Sequence, residues 1–359
     1  MSLKKSIQSA VALLLPLLSM HLNAQQTTKV FLSGTDFEHP VKWDFMCTDG
    51  NNSKQWSKIN VPSNWELQGF GEYTYGRWYK ELNQKEPSKE EGFYKYEFPI
   101  AAADQGKTIY IVFGAAMTDT EVKINGKSAG PIHQGGFYEF KYDISSLLNY
   151  GGNNVLEAHV SKHSANNSVN AAERKADWWL FGGIYRPVWL EILPKENIAH
   201  VAVDAKMDGT LNAVLDLQNI AKNSTLAVSV TAIGSNKVLG THVFNVNAKE
   251  QQMKISTQFP DIKPWSPESP NLYNVKLELL QNGKTIHEVT ERIGFRTLEF
   301  IKKDGIYVNG KKIIMKGINR HEIWPESGRS TSKRLSIMDV NLLKDMNMNA
   351  VRGHYPADS

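Results

Sequence analysis

The sequence has 359 residues, of which 41% are hydrophobic and 22% charged, the composition of a globular protein with two or three domains. Its 41 basic and 37 acidic residues nearly balance without a basic run, which argues against a nucleic-acid-binding protein. Cys47 is the single cysteine, so the chain has no internal disulfide and no cysteine-based metal site.

The N-terminus has the pattern of a secretory signal. Lys4 and Lys5 precede an apolar stretch, Val11–Leu18, and a small residue, Ala24, follows. The apolar stretch is shorter than the roughly 20 residues of a membrane-spanning helix. We therefore expect a signal peptide over residues 1–24 and no membrane association. Secretion without disulfides favours a bacterial periplasm or exterior.

Residues 25–197 contain short alternating runs that turn residues separate. Alternation with period two and a turn such as Asn125-Gly126 predict antiparallel strands. So many strands without disulfides favour a double-sheet jelly roll. The clearest predicted strands are Tyr94–Phe98, Thr108–Phe113, Glu121–Ile124 and Val155–Val160.

Residues 198–297 predict a second β-domain. Their spacing is typical of an immunoglobulin-like sandwich of about seven strands. Lys263–Pro270 is too rich in proline for a central strand, so we expect a long connection there. The predicted strands are Leu211–Leu217, Thr225–Ala232, Lys237–Val246, Gln252–Phe259, Asn274–Leu280 and Thr285–Arg292.

Residues 298–359 predict a strand–helix–strand unit. Gly305–Asn309 and Lys312–Lys316 are typical of a hairpin leading into a buried strand. Ser332–Met346 has apolar residues on one helical face, with Ser332 as N-cap, and Asn349–Arg352 predicts a second strand. A (β/α)₈ barrel takes about 250 residues. We therefore expect a mainly β chain that ends in an incomplete (β/α)₈ barrel.

Polar residues are concentrated in Lys316–Arg329, with the sequence KGINRHEIWPESGR. If they follow a barrel strand, they lie at its C-terminal end, where the active sites of such barrels are found. Asn319, Arg320, His321 and Glu322 would then supply hydrogen-bonding groups. The alternative is a structural loop in which Arg320 and Glu322 form an internal ion pair.

Two further segments have residues suited to sugar binding. Asn349–Pro356 (NAVRGHYP) brings a histidine and a tyrosine to the end of the second strand, or forms only a rigid turn. Asp177–Tyr185 (DWWLFGGIY) combines an acid with two tryptophans. A carboxylate accepts sugar hydroxyls and an aromatic ring stacks on the apolar sugar face, although core tryptophans are an alternative.

These three segments resemble glycoside hydrolase family 2, in particular the bacterial β-galactosidases. Val61–Gly69 (VPSNWELQG) and the KPWS…NLY stretch from Lys263 to Tyr273 extend the resemblance from about residue 40 to the last residue. The resemblance implies a jelly-roll sugar-binding domain, an immunoglobulin-like sandwich and a catalytic (β/α)₈ barrel. It also implies retaining exo-hydrolysis of a terminal β-linked sugar in an oligosaccharide or polysaccharide.

The catalytic pair implied by the resemblance lies beyond Ser359. Such enzymes use two carboxyl groups roughly 5–5.5 Å apart, and in this family both are glutamates of later barrel strands. Glu322 and Glu326 do not match them, so no catalytic residue is assigned within the chain. We expect the 359-residue chain to be inactive alone.

The resemblance does imply substrate-binding residues. Asp177 matches an acid that binds sugar hydroxyls and, in some members, Na⁺, which makes it a candidate metal ligand. His354 and Arg352 match residues of the pocket for the transition-state sugar. Na⁺ and Mg²⁺ are candidate cofactors, and a homo-oligomer is a candidate assembly of the full-length protein. The remaining candidate substrate-binding residues are Trp178, Asn319, Arg320, His321, Glu322 and Arg77.

The sequence departs from the β-galactosidase pattern at two places that bear on the identity of the substrate. Gly353 alone separates Arg352 from His354, where the β-galactosidase pattern has two residues. Arg77 stands in the sequence near the position where the β-galactosidases of the family carry an asparagine that binds galactose. An arginine there would favour a sugar that carries a carboxylate. The alternatives to a β-galactosidase are therefore a β-glucuronidase, β-galacturonidase or β-mannosidase. A non-catalytic carbohydrate-binding protein is the alternative from another class.

Overall fold

The computed structural model describes residues 26–75, 89–174 and 179–353, which form three successive units. The strands are β1 (Thr28–Phe31), β2 (Val41–Cys47), β3 (Ser57–Val61), β4 (Thr74–Tyr75), β5 (Glu91–Pro99), β6 (Thr108–Phe113), β7 (Asp119–Ile124), β8 (Lys127–Ser128), β9 (Phe140–Asp143), β10 (Asn153–Ser161), β11 (Trp179–Leu180), β12 (Val188–Leu193), β13 (Asn197–Ala205), β14 (Thr210–Gln218), β15 (Ser224–Ala232), β16 (Val238–Val246), β17 (Gln252–Gln258), β18 (Tyr273–Gln281), β19 (Lys284–Ile293), β20 (Leu298–Ile301), β21 (Gly305–Val308), β22 (Lys311–Ile313), β23 (Gly317–Arg320) and β24 (Ala350–Gly353). The α-helices are α1 (Asn167–Val169) and α2 (Lys333–Asp345); 3₁₀ turns cover Trp65–Gln68, Ala102–Asp104 and Ser145–Leu147, and a π turn covers Asn170–Arg174.

The first unit is the predicted jelly roll. One sheet has the order β1-β12-β6-β9 and the other β3-β2-β5-β10-β7-β8. Side chains that alternate along β2 and β6, such as Trp43, Phe45, Ile109 and Ile111, are fully buried in one core between the sheets. Burying each of them stabilises the fold by roughly 1.5–3 kcal/mol. The four strands predicted here are confirmed as β5, β6, β7 and β10.

The second unit is the predicted immunoglobulin-like sandwich. It contains seven strands in two sheets, of order β13-β14-β17 and β16-β15-β18-β19. The six predicted strands are confirmed as β14 to β19, and β13 is an additional strand. Lys263–Pro270 lies in the connection between β17 and β18, as its prolines predict.

The third unit begins with an antiparallel sheet, β20-β21-β22, and continues with β23, α2 and β24. The hairpin is confirmed, but the prediction of a buried strand at Lys312–Lys316 is wrong. β22 ends at Ile313, and Ile314 and Met315 are 74% and 58% exposed. The parallel strand is β23, so Asn319 and Arg320 lie within it rather than after it. The apolar run is exposed because no element of the described chain packs over it.

Helix α2 matches its prediction within one residue at each end. Ser332 is the N-cap, and its hydroxyl oxygen accepts a hydrogen bond from the Leu335 N–H at 3.4 Å. Leu335 and Leu343 are buried, whereas Leu342 and Met346 on the same predicted face are more than half exposed. The apolar face is therefore only partly covered.

Cys47 is a buried free thiol, and burial raises its pKa to about 11. Across the described residues, no helix is long and apolar enough to cross a membrane.

Candidate functional site

The two polar segments of the third unit leave the same end of a parallel strand pair. β23 pairs with β24 so that Asn319 lies opposite Arg352 and Arg320 opposite Gly353. The Arg352 guanidinium donates a hydrogen bond to the side-chain oxygen of Asn319 at 3.4 Å. The structure thus brings these two predicted site residues together at neighbouring strand ends, the position of active sites in (β/α)₈ barrels.

Arg320 and Glu322 belong to an ion-pair network that connects two units. Arg320 Nε donates to Asp339 of α2 at 2.7 Å, and its Nη1 donates to Glu322 at 3.0 Å. The second Glu322 oxygen accepts from Arg186 of the jelly roll at 3.3 Å. Burial alone would lower the pKa of Arg320, but the bonds to the two carboxylates hold that pKa above its ordinary value. The geometry thus gives this pair the structural role considered above; a role in substrate binding stays a prediction.

The loop after Glu322 is seated on the jelly roll. Gly328 has a positive φ of 62°, and a Cβ there would lie 2.5 Å from the Asn64 side-chain oxygen. The next residue, Arg329, is buried; its N–H donates to that oxygen at 2.8 Å and its guanidinium lies 5.0 Å from the Phe137 ring centre. A Cβ on Gly328 would also lie 3.2 Å from the Phe181 ring. The loop therefore lies against the segment that follows Asp177 and Trp178.

A buried ionic cluster lies inside the jelly roll. Lys162 Nζ lies 2.9 Å from Glu66 and 3.1 Å from Glu90, and it donates to the Glu72 carbonyl at 2.7 Å. The side chains of Lys162 and Glu66 are completely buried. A buried charge is tolerated only when it is paired and hydrogen-bonded. No sequence pattern predicts this cluster, because its members are far apart in the chain and no local motif marks them.

The cluster, together with Arg174, whose Nε donates to the Lys162 carbonyl at 2.9 Å, makes contacts on both sides of residues 175–178. Arg174 donates to the Phe181 carbonyl at 2.6 Å, and the Gly182 N–H donates to Glu66 at 2.9 Å. Burial lowers the pKa of Arg174 to about 10. Burial also raises the pKa of Glu66 to about 7, against the opposing charge of Lys162. These contacts connect Arg174 with the Phe181–Gly182 backbone, the described residues on either side of residues 175–178.

An exposed aromatic pair lies beside this segment. Tyr73 and Trp179 are 47% and 38% exposed, and their ring centres lie 6.1 Å apart. Phe181 lies below, 5.9 Å from Tyr73. Such rings can stack on the apolar face of a sugar. Trp179 stands in the sequence motif, but nothing local identified Tyr73, which comes close only because β4 pairs with β11.

Several predicted site residues lie outside the described residues, namely Arg77, Asp177, Trp178 and His354. Their predicted roles, including the Na⁺ ligand, stay predictions. His321 is exposed just past the end of β23. Within residues 26–75, 89–174 and 179–353, no group of three or more His, Cys, Asp or Glu side chains could hold a metal ion.

Three models of one protein family match consecutive parts of the chain. The sugar binding domain of glycosyl hydrolases family 2 matches residues 39–194, and the family 2 TIM barrel domain matches residues 300–359. A further glycosyl hydrolases family 2 model matches residues 196–296. The chain belongs to glycosyl hydrolase family 2. The jelly roll, the sandwich and the barrel start therefore correspond, in chain order, to these three family 2 models.

Named relatives in family 2 differ in their substrates. A Formosa agariphila protein provisionally named a beta-glucuronidase is 31% identical over 316 residues, which cover 86% of this chain and 36% of the relative. A Thermoanaerobacter pseudethanolicus beta-galactosidase is 30% identical over 271 residues, or 74% of this chain and 36% of the relative. The Bacteroides uniformis beta-glucuronidase structure shares the fold with a TM-score of 0.73 at 22% identity, over 93% of this chain and 40% of that one. This family 2 chain thus spans about a third of the length of these curated relatives.

Proposed function

We propose that this chain is the N-terminal part of a retaining exo-glycosidase that removes terminal β-D-galactose from oligosaccharides or polysaccharides. The observation that carries the proposal is the parallel pairing of β23 with β24. It brings Asn319 and Arg352 to one end of two neighbouring strands in a chain of family 2. The loop after β23 lies against the jelly roll, which supports a pocket bounded by both units.

In this proposal the described residues bind the substrate and later barrel strands cleave it. Retention requires one carboxylate as nucleophile and one carboxylic acid as acid/base, and we expect both beyond Ser359. Asn319 and Arg352 would hydrogen-bond sugar hydroxyls at the strand ends. Tyr73 and Trp179 would stack on an apolar sugar face at the rim. The network through Glu322 would hold the two walls together.

A β-glucuronidase is the second candidate. The names of the Formosa agariphila relative and of the Bacteroides uniformis structure favour it. A uronic acid carries a carboxylate, which a guanidinium binds well. Arg352 is exposed at the strand end, and its guanidinium would be the described group for this contact.

A panel of nitrophenyl β-glycosides with the full-length gene product tests the proposal. The panel contains the galactoside, glucuronide, galacturonide and mannoside, with the α-galactoside as a control. We expect release from the β-galactoside and none from the control. Release from the glucuronide alone would establish the second candidate. Sugar binding without release from any glycoside would favour the non-catalytic carbohydrate-binding alternative.

The proposal extends to the environment of the protein. We propose secretion to a bacterial periplasm or exterior after removal of residues 1–24, and N-terminal sequencing of the mature protein should begin at Gln25. Na⁺ and Mg²⁺ stay candidate cofactors, and a homo-oligomer stays a candidate assembly. Assays in choline chloride with EDTA would test the ions, and light scattering of the full-length protein would test the assembly.

A further inference from the structure

A cleft of about 990 Å³ lies where the three units meet. The jelly roll contributes Phe31, Tyr138 and Trp189, the sandwich contributes Arg292, and helix α2 contributes Lys333. Small-molecule sites commonly measure about 300–1,000 Å³ and are lined by aromatic residues with a few polar groups. The cleft therefore has the dimensions and the type of lining of a ligand site.

The aromatic lining of the cleft is partly open to solvent. Phe31 is 45% exposed and Tyr138 is 57% exposed. The Trp189 ring lies 6.1 Å from Phe31, and the Lys29 ammonium lies 5.0 Å from the Trp189 ring. Exposed aromatic rings beside charged groups suit a ligand with apolar faces and polar edges, and sugar rings have both.

The charge of the cleft favours an anionic ligand. Four cations and two carboxylates line it. Lys29 and Arg186 already have carboxylate partners at 3.8 and 3.3 Å, and Asp36 accepts hydrogen bonds from its own turn. Arg292 and Lys333 take part in no ion pair among the residues that the structure describes. The formal surplus of two positive charges among the lining residues includes Lys29 and Arg186, whose partners Glu191 and Glu322 lie outside the lining. Glu139 is a lining carboxylate with no ion pair among the described residues. Arg292 and Lys333, which come from different units, are therefore the lining cations without a carboxylate partner in the described part of the chain.

The cleft adjoins the candidate active site. Arg186 lines the cleft, and its guanidinium also contacts Glu322 at 3.3 Å. Glu322 lies two residues beyond the end of β23. The cleft and the candidate active site thus share the wall that Arg186 and Glu322 form, so a glycan longer than one sugar is the ligand we consider for the cleft.

We propose that this cleft binds an acidic segment of a polysaccharide, whose carboxylate or sulfate groups contact Arg292 and Lys333 and whose sugar faces contact Tyr138 and Phe31. This inference rests on the proposed function and adds a substrate class, an anionic glycan longer than the sugar that is removed. The aromatic rings supply contact to any glycan, and the two cations select the acidic ones.

Binding of polysaccharides to the 359-residue chain tests the cleft. Native affinity electrophoresis would use polygalacturonate, a sulfated galactan and neutral β-1,4-galactan as probes. We expect retardation by one or both anionic polymers and weak retardation by the neutral one, and the two anionic probes separate carboxylate from sulfate recognition. Arg292→Ala and Lys333→Ala should each weaken binding of the preferred anionic polymer about threefold. Tyr138→Ala should weaken binding of all the polymers roughly fivefold.

Matched controls distinguish binding in the cleft from nonspecific attraction of polymers to exposed cations or aromatic residues elsewhere on the surface. Lys254→Ala removes an exposed cation from the sandwich, and Trp56→Ala removes an exposed aromatic residue from the jelly roll; both should bind like the wild type. Equal effects of Lys254→Ala and Lys333→Ala would overturn the proposal, as would equal retardation by neutral and anionic polymers or no retardation by any.

The assay of nitrophenyl glycosides distinguishes a failure of the cleft proposal from a failure of the proposed function. These substrates are too short to fill the cleft, so the full-length gene product with Arg292→Ala and Lys333→Ala should hydrolyse them at the wild-type rate. Normal hydrolysis together with unchanged polymer binding would refute the cleft alone. Polymer binding that depends on the cleft, without hydrolysis, would refute the glycosidase alone.

Discussion

At the scale of single residues, Glu322 links two units, because its carboxylate forms ion pairs with both Arg320 of the barrel start and Arg186 of the jelly roll. All three side chains are less than one-fifth exposed. Replacing Glu322 by Gln leaves two guanidinium groups close together without their shared anion.

We expect Glu322→Gln to lower the free energy of unfolding by about 2 kcal/mol, since it removes the largely buried anion that Arg186 and Arg320 share, while Arg320 keeps its bond to Asp339. Urea denaturation followed by tryptophan fluorescence measures it. Asp44→Asn is the control: its pair with Lys58 is at least half exposed and should contribute at most about 0.5 kcal/mol. Equal effects of the two substitutions would show that the network does not join the units.

His287 gives a pH dependence whose sign follows from its contacts. The Ile198 N–H donates to Nδ1 of His287 at 3.0 Å, so this nitrogen must be unprotonated. The other ring nitrogen lies 3.2 Å from the Thr27 hydroxyl. Burial lowers the pKa of His287 from 6.5 to about 4, although the nearby Glu288 charge raises it. Between about pH 4 and pH 6.5, the His287 ring is therefore neutral in the folded protein and protonated in the unfolded chain.

Because the pKa of His287 is lower in the folded protein than in the unfolded chain, the stabilisation from its neutral ring is fully present above pH 6.5 and is lost as the pH falls towards 4. The free energy of unfolding should fall by about 3 kcal/mol over this range. Thermal unfolding between pH 4 and 7 should show this slope in the wild type and a smaller slope in His287→Gln. His200→Gln, which replaces a 67% exposed side chain, should keep the full slope. An unchanged slope in His287→Gln would contradict the assignment.

At the scale of elements, local patterns predicted which segments form strands and helices better than they predicted burial. Thr108–Phe113 forms β6 as its alternation indicates, and Ser332 caps α2. Ile314 and Met315 have the apolar character of a buried strand, yet both are exposed. Alternation and capping act between near neighbours in the chain, whereas burial depends on which other elements lie nearby.

Helix α2 illustrates this dependence and leads to a prediction. Ile337, Val340, Leu342 and Met346 are each more than half exposed. Exposed apolar surface of this extent promotes association. We expect the 359-residue chain to self-associate in sedimentation velocity, and the double variant Ile337→Lys and Val340→Lys to remain monomeric to higher concentration.

The matched control for this prediction is Val243→Lys, which changes a 64% exposed valine of the sandwich and should leave the association unchanged. Far-ultraviolet circular dichroism should be the same for the double variant and the wild type, because lysine is a good helix former. Equal association of the double variant and the wild type would show that α2 is not the surface responsible.

At the scale of the whole molecule, the sequence predicted the strand ends of the candidate site but not the contacts that support it. Asn319 and Arg352 stand in local motifs and meet because β23 and β24 are parallel. The Lys162–Glu66 pair joins residues 96 positions apart, and Arg329 reaches Asn64 across 265 positions. No periodicity in the chain connects such residues, so only the folded arrangement reveals them.

In the proposed function, these units form the substrate-binding front of a glycosidase, and the catalytic carboxylates lie further along the full-length protein. Hydrolysis of nitrophenyl β-glycosides, measured side by side for the full-length gene product and the 359-residue chain at equal molar concentration, tests it most directly. We expect turnover by the full-length product and none by the chain alone. Turnover by the isolated chain, or none by the full-length product with any glycoside of the panel, would contradict it.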